Sequence, residues 1–147
     1  MRLLATAGGI GHVPLLPGTA GSLLGAAIAF PLLDIPWPIF LGLTLLLTAA
    51  AVLVSGRMAE ALDQPDPPEV VIDEVVGMWF AALLLPSRLT DLAAAFLLFR
   101  AFDVVKPLWI PRLERLPGGW GIVADDVAAG LLARAAWWLL KLNFTFL

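Results

Sequence analysis

Five carboxylates stand where a hydrophobic chain can least tolerate them. Asp73 and Glu74 open the run VIDEVVGMWFAALLL, Asp103 sits within FRAFDVVKP, and Asp125 and Asp126 follow GGWGIVA. Two cations, Arg100 and Lys106, flank Asp103 at a spacing of three residues. On a helix that spacing sets all three on one stripe reading plus, minus, plus. Ionisable groups beside apolar segments are costly in lipid and mark function by default. Carboxylate oxygens suit a hard divalent cation; Mg²⁺ fits best, because it takes oxygen ligands and is often shared with substrate phosphate. The cations suit the oxygens of a phosphomonoester, which carries close to two negative charges.

Each of these features also has a plainer explanation. Asp73 and Glu74 at a helix start are favoured by free N–H groups and the positive end of the dipole, worth about 0.3–1 kcal/mol. The sharper reading has one of them cap while the other turns inward to a metal, with Gly77 leaving room for close backbone approach. The Arg100–Asp103–Lys106 stripe also describes a helix end whose long cations snorkel to lipid headgroups. Gly118, Gly119 and Gly121 read as a flexible loop leading into Asp125 and Asp126. Neighbours on a formed helix point about 100° apart, so the two carboxylates are expected at an unwound helix start, where both can face one site.

Pro17, Gly18, Thr19, Gly21 and Ser22 suit a phosphate-binding turn at a helix N-terminus. No Gly-Lys-Ser/Thr signature follows, so a nucleotide P-loop is not supported. His12, the only histidine, reads as structural, and the six tryptophans read as interfacial anchors and packing.

The elements that must position these groups are apolar helices. The 147 residues are 61% hydrophobic and 14% charged, and mean hydropathy is +0.93. Soluble domains are roughly 45–50% apolar and 25% charged, so the chain is expected to be integral to a membrane. A net charge of -3 leaves no basic face for nucleic acid. Without cysteine there is no disulfide, thiolate nucleophile or zinc–thiolate site. The N-terminal run meets glycines and prolines too soon for a removable signal peptide.

Leu16 to Leu33 is long enough to be a first span near the lower limit for crossing, and Ile39 to Val54 is the clearest second. Ser55 to Val71, with DQPDPPE, is expected outside the lipid with only a short helical piece at Arg57 to Leu62. A short third span ends at Pro86. Leu92 to Val105 makes a fourth helix that Pro107 stops. Leu108 to Ala124 is expected to be an irregular loop, and a last helix starts at Asp125. The expected fold is a single all-α membrane domain over residues 1–147, a compact bundle of about four to five apolar helices. If each segment crosses once, every carboxylate-bearing end falls on one side, together with most Lys and Arg. By the positive-inside rule that face is cytoplasmic.

Four ordered blocks carry a resemblance: GIGHVPLLPGTAGSL, VIDEVVGMW, FRAFDVVKPLWI and GGWGIVADDVAAG. At these residues the chain resembles the phosphatidylglycerophosphatase A family of bacterial membrane phosphatases. The resemblance implies a Mg²⁺-dependent hydrolase that removes the terminal phosphate of phosphatidylglycerophosphate, leaving phosphatidylglycerol in a bacterial inner membrane. It maps catalytic and metal-binding carboxylates to Asp73, Glu74, Asp103, Asp125 and Asp126. Substrate contacts fall to Thr19, Ser22, Arg100 and Lys106, with Gly118 and Gly119 in the adjoining loop. Trp109 stands where a second proline is common and Val123 where methionine is common; both concern loop shape. Two rival readings are a divalent-cation transporter and a CDP-alcohol phosphotransferase. The span centres have no polar lining for the first, and the widely spaced aspartate pattern of the second is absent.

Overall fold

The computed structural model describes residues 1–107 and 109–145. Leu108, the first residue of the expected irregular loop, lies outside the described residues. Among these the chain is all helical: α1 (Arg2–Ala5), α2 (Pro17–Leu32), α3 (Trp37–Leu62), α4 (Ile72–Ala82), α5 (Leu89–Val105) and α6 (Gly119–Thr145). Two 3₁₀ turns, Ile10–His12 and Ile110–Arg115, precede α2 and α6.

The element at the centre is the shortest of the long apolar segments. Every residue of α4 except Glu74 is buried, and it packs against α2, α3, α5 and α6. Eleven residues rise only about 16 Å, half of a hydrocarbon core of about 30 Å. The expected third span is therefore a core helix enclosed by its neighbours. Glycine makes the enclosure possible. A Cβ at Gly77 would come 2.6 Å from the Phe99 ring and 2.8 Å from the Asp126 carbonyl oxygen, and one at Gly130 would strike the Gly77 carbonyl. Gly77→Ala is expected to lower stability by about 1–3 kcal/mol, since ring and backbone must both yield. Thermal unfolding in detergent reads that loss directly.

Another element must satisfy the carbonyls at and just beyond the C-cap of α4. Arg134 of α6 does so, its guanidinium donating from Nε to the Leu83 carbonyl and from Nη2 to the Leu84 carbonyl at 3.1 Å. This accounts for the arginine in the last apolar helix. Arg134→Met is expected to cost about 1–3 kcal/mol by orphaning the part-buried Leu83 carbonyl, seen as a lower melting temperature. At the same end Lys141 pairs with the buried Asp91 at 2.9 Å and lies over the Trp137 ring.

Two boundaries differ from the sequence reading. α3 does not break at Ser55 but runs on to Leu62, ending at Asp63 in a left-handed conformation, φ 50°. Gly56 stays helical because the backbone of Gly119 packs on it, 2.9 Å from where its Cβ would be. α6 begins at Gly119, after Gly118 turns with φ 59°. Asp125 and Asp126 therefore stand about two turns inside a formed helix, contrary to the unwound start expected for them.

Trp37–Leu62 is the one helix among the described residues long and apolar enough to cross a membrane: 26 residues, with a most apolar window of hydropathy 2.3 that is 28% buried. Large apolar side chains stand exposed along the bundle, among them Leu23, Ile39, Leu46, Leu53, Leu97, Leu131 and Trp138.

Candidate active site

At the end of the bundle opposite Arg134, five segments converge on one cavity of about 300 Å³. The first turn of α2 gives Gly18 and Thr19, the proline loop gives Asp66, and α4 gives Asp73 and Glu74. α5 and its cap supply Arg100, Asp103 and Lys106, and α6 supplies Asp125 and Asp126. All five carboxylates singled out in the sequence line this one space. The convergence follows from where helices start and stop. Val71 precedes α4 without a side-chain cap, so the two acidic residues of the first turn meet its free N–H groups and positive dipole end. Lys106 ends α5 in a left-handed conformation, φ 47°, which turns the chain toward α6.

The carboxylates divide into two groups. One oxygen each from Asp73, Glu74 and Asp126 lies within 4.8 Å of the others, and Asp73 and Asp126 are buried. Asp73 Oδ1, Glu74 Oε2 and Asp126 Oδ1 are buried without a hydrogen-bond partner. Asp103 and Asp125 instead hold cations: Asp103 accepts from Arg100 Nη1, and Asp125 Oδ2 accepts from Lys106 Nζ at 2.7 Å.

Three neighbouring carboxylates, each with a buried and unpartnered oxygen, are an unstable arrangement without a positive charge among them. Ligand oxygens about 2.1 Å from Mg²⁺ in octahedral geometry lie about 3 Å apart when adjacent and about 4.2 Å when opposite. A small contraction of the cluster reaches that spacing, so the donor set fits a hard divalent cation.

The cations are held in place by other residues. Ser22 is fully buried, one helical turn beyond Gly18; its hydroxyl donates to the Gly18 carbonyl at 2.8 Å and accepts from Arg100 Nη1 at 3.4 Å. This corrects its expected substrate contact: back-bonding to the preceding turn draws Ser22 behind the site, where it supports Arg100. Gly118 and Gly119 also fall outside the acidic cavity. Gly118 lines a neighbouring cavity of about 530 Å³, and Gly119 packs on Val52 and Gly56. Thr19, Arg100 and Lys106 line the acidic cavity.

Two residues were missed by sequence reading. Glu114 accepts from Lys106 Nζ, and Asp66 lines both cavities. Glu114 stood in a stretch read as irregular, and Asp66 among the prolines of a run read only as a helix breaker. Burial works against the Lys106 cation, but its bonds to Asp125 and Glu114 outweigh that and hold its pKa above the ordinary lysine value. Lys106 stays charged at any working pH. Asp66 is raised by partial desolvation and then by the negative charge of Asp125.

Gly18 lets α2 approach this closely: a Cβ there would strike Glu74 Oε1 and lie 3.4 Å from Arg100 Nη1. Gly18→Ala is therefore expected to displace a carboxylate of the cluster and lower turnover about a hundredfold, since small misplacements at a reacting centre carry that cost. Initial rates on folded protein measure it.

The family model for Phosphatidylglycerophosphatase A matches residues 3–141. The chain belongs to the phosphatidylglycerophosphatase A family, a family of phosphomonoester hydrolases. Similar curated proteins include "Phosphatidylglycerophosphatase A" of Escherichia coli strain K12, 33% identical over 90% of this chain and 78% of its own. The protein of the same name from Haemophilus influenzae is 35% identical over 90% of this chain and 83% of its own. A Bacteroides thetaiotaomicron protein named "Putative phosphatidylinositol-3-phosphatase" is 38% identical over 92% of both chains. No solved structure gives a significant match.

Proposed function

We propose that the chain hydrolyses the terminal phosphomonoester of phosphatidylglycerophosphate, giving phosphatidylglycerol and phosphate, with Mg²⁺ as cofactor. It acts as a multi-pass protein of a bacterial inner membrane with its site toward the cytoplasm. The observation that carries this is the acidic cavity itself, in which three carboxylates, each with a buried and unpartnered oxygen, share a space with Arg100 and Lys106. The exposed apolar side chains along the bundle support the membrane setting, as does the long apolar helix α3.

In this reading Asp73, Glu74 and Asp126 hold Mg²⁺. When bound, it supplies neutralisation of the phosphate charge and an acidified water. Arg100 and Lys106 take the phosphate oxygens, where charge grows as the phosphorus–oxygen bond to glycerol loosens. Asp103 and Ser22 both accept from Arg100 Nη1 and fix its guanidinium. Glu114 and Asp125 fix the Lys106 ammonium. Gly18 and Thr19 line the cavity at the first turn of α2, where free N–H groups suit the same anion. We assign to Asp125, which keeps one buried oxygen unpartnered, the role of taking the proton of the attacking water and passing it to the departing glycerol oxygen.

The test is a substrate panel in mixed micelles: phosphate released from phosphatidylglycerophosphate, phosphatidylinositol 3-phosphate and phosphatidic acid under Mg²⁺. Highest kcat/KM on phosphatidylglycerophosphate is the expected result. Preference for phosphatidylinositol 3-phosphate would transfer the reading to the activity named for the Bacteroides relative. Release from none of them would refute it.

A further inference from the structure

The acidic cavity has an apolar edge that the chemistry does not use. Leu15 and Leu16 line the same cavity as Asp73, Glu74 and Arg100, yet Leu15 is 95% exposed and Leu16 62%. Leu15 also sits at φ 77°, a left-handed conformation that side chains other than Gly, Asn and Asp rarely adopt. A strained leucine with its whole side chain in the open gains nothing from packing on its own chain. Such strain persists where it serves a site. The flanking Pro14 and Pro17 fix the backbone on either side, so the lip is held rather than loose. Val104 and Val105 are also exposed, at the end of α5 that carries Asp103 and Lys106.

A ligand that suits both parts of this site is anionic at the end inside the cavity and apolar at the end leaving it. We propose that Leu15 and Leu16 form a lip that binds the glycerolipid end of the substrate as its phosphate enters the acidic cavity. The lip sets the preference for lipid over water-soluble phosphomonoesters. This rests on the reading of the substrate as a lipid phosphomonoester, and the continuity of the lip with the cavity lining is what names the occupant.

The test uses Leu15→Asn, since asparagine tolerates the left-handed backbone, with Leu16→Ser as a second variant. The ratio of kcat/KM on phosphatidylglycerophosphate to that on glycerol 3-phosphate is measured in detergent. In each variant this ratio is expected to fall about tenfold, the scale of one leucine losing its apolar contact. The change should lie in KM, with kcat on the lipid held within about twofold. An unchanged ratio in both variants, or an equal fall on both substrates, overturns the lip. A binding arm separates failure of the lip from failure of the functional reading. Short-chain phosphatidic acid, titrated calorimetrically, is expected to bind Leu15→Asn about tenfold more weakly than the native chain. Equal affinity overturns the lip even if no hydrolysis is found.

Discussion

Asp126→Asn is expected to slow phosphate release by a factor on the order of 10³ while making the Mg²⁺-free protein more stable. The two effects have one cause. Asp126 is buried, and its Oδ1 has no hydrogen-bond partner; one of its carboxylate oxygens stands within 4.8 Å of oxygens from Asp73 and Glu74. Without a cation, three carboxylates in that space repel one another and are poorly solvated, which raises the free energy of the folded chain. An amide has nearly the same shape and no charge, so it relieves the repulsion and removes a cation ligand together. A gain of about 1–3 kcal/mol is expected, read as a higher melting temperature in EDTA. Added Mg²⁺ should then stabilise the native chain by mass action and leave the variant almost unchanged. A residue that served only packing would lose stability on substitution and show no such reversal.

The second large effect falls on Arg100. Arg100→Gln is expected to lower kcat/KM by about 10²–10³, the cost of losing one preorganised donor to developing charge. Arg100→Lys should recover only part of it, because an ammonium is a point charge and cannot present the planar fork of a guanidinium. Asp103 contacts Arg100 directly and acts through it, so Asp103→Asn alone should cost about 10–100-fold. In the double variant the losses should not add, since once the guanidinium is gone Asp103 has nothing to hold. Full additivity in rates from the two single variants and the double would show that Asp103 acts on the substrate independently.

The parts of the fold that were legible in the sequence are those set by local chemistry. Pro17 and Pro107 bound α2 and α5 within a few residues of their expected ends, because proline lacks the N–H and restricts the residue before it. The convergence of all five carboxylates on one cavity was also legible, since alternating apolar segments return polar ends to one side. What the sequence concealed depends on contacts between segments far apart in the chain. α3 passes through Ser55 and Gly56 as a helix because Gly119 packs there, and a polar stretch containing glycine reads locally as an end. The same packing holds Gly119 helical and moves Asp125 and Asp126 inside α6.

Ser22 illustrates a different limit. A hydroxyl in a phosphate-like turn and one bonded back to the Gly18 carbonyl look alike until the helix is formed. The pairing of the five carboxylates was hidden for a similar reason. Spacing could not tell a carboxylate left unpartnered, such as Asp73, from one taken by a cation, such as Asp103. Glu114 and Asp66 carried no local signal, and their roles come from proximity to Lys106 and to the cavity rim.

The most direct test of the acidic cavity as a Mg²⁺-dependent phosphatase centre is a single assay. Phosphate released from phosphatidylglycerophosphate in detergent micelles is followed across a Mg²⁺ titration against EDTA, for the native chain beside folded Asp126→Asn. The account predicts saturable Mg²⁺-dependent release by the native chain and a rate lower by about 10³ in the variant. Release that persists in EDTA, or that is equal in the two proteins, would contradict it.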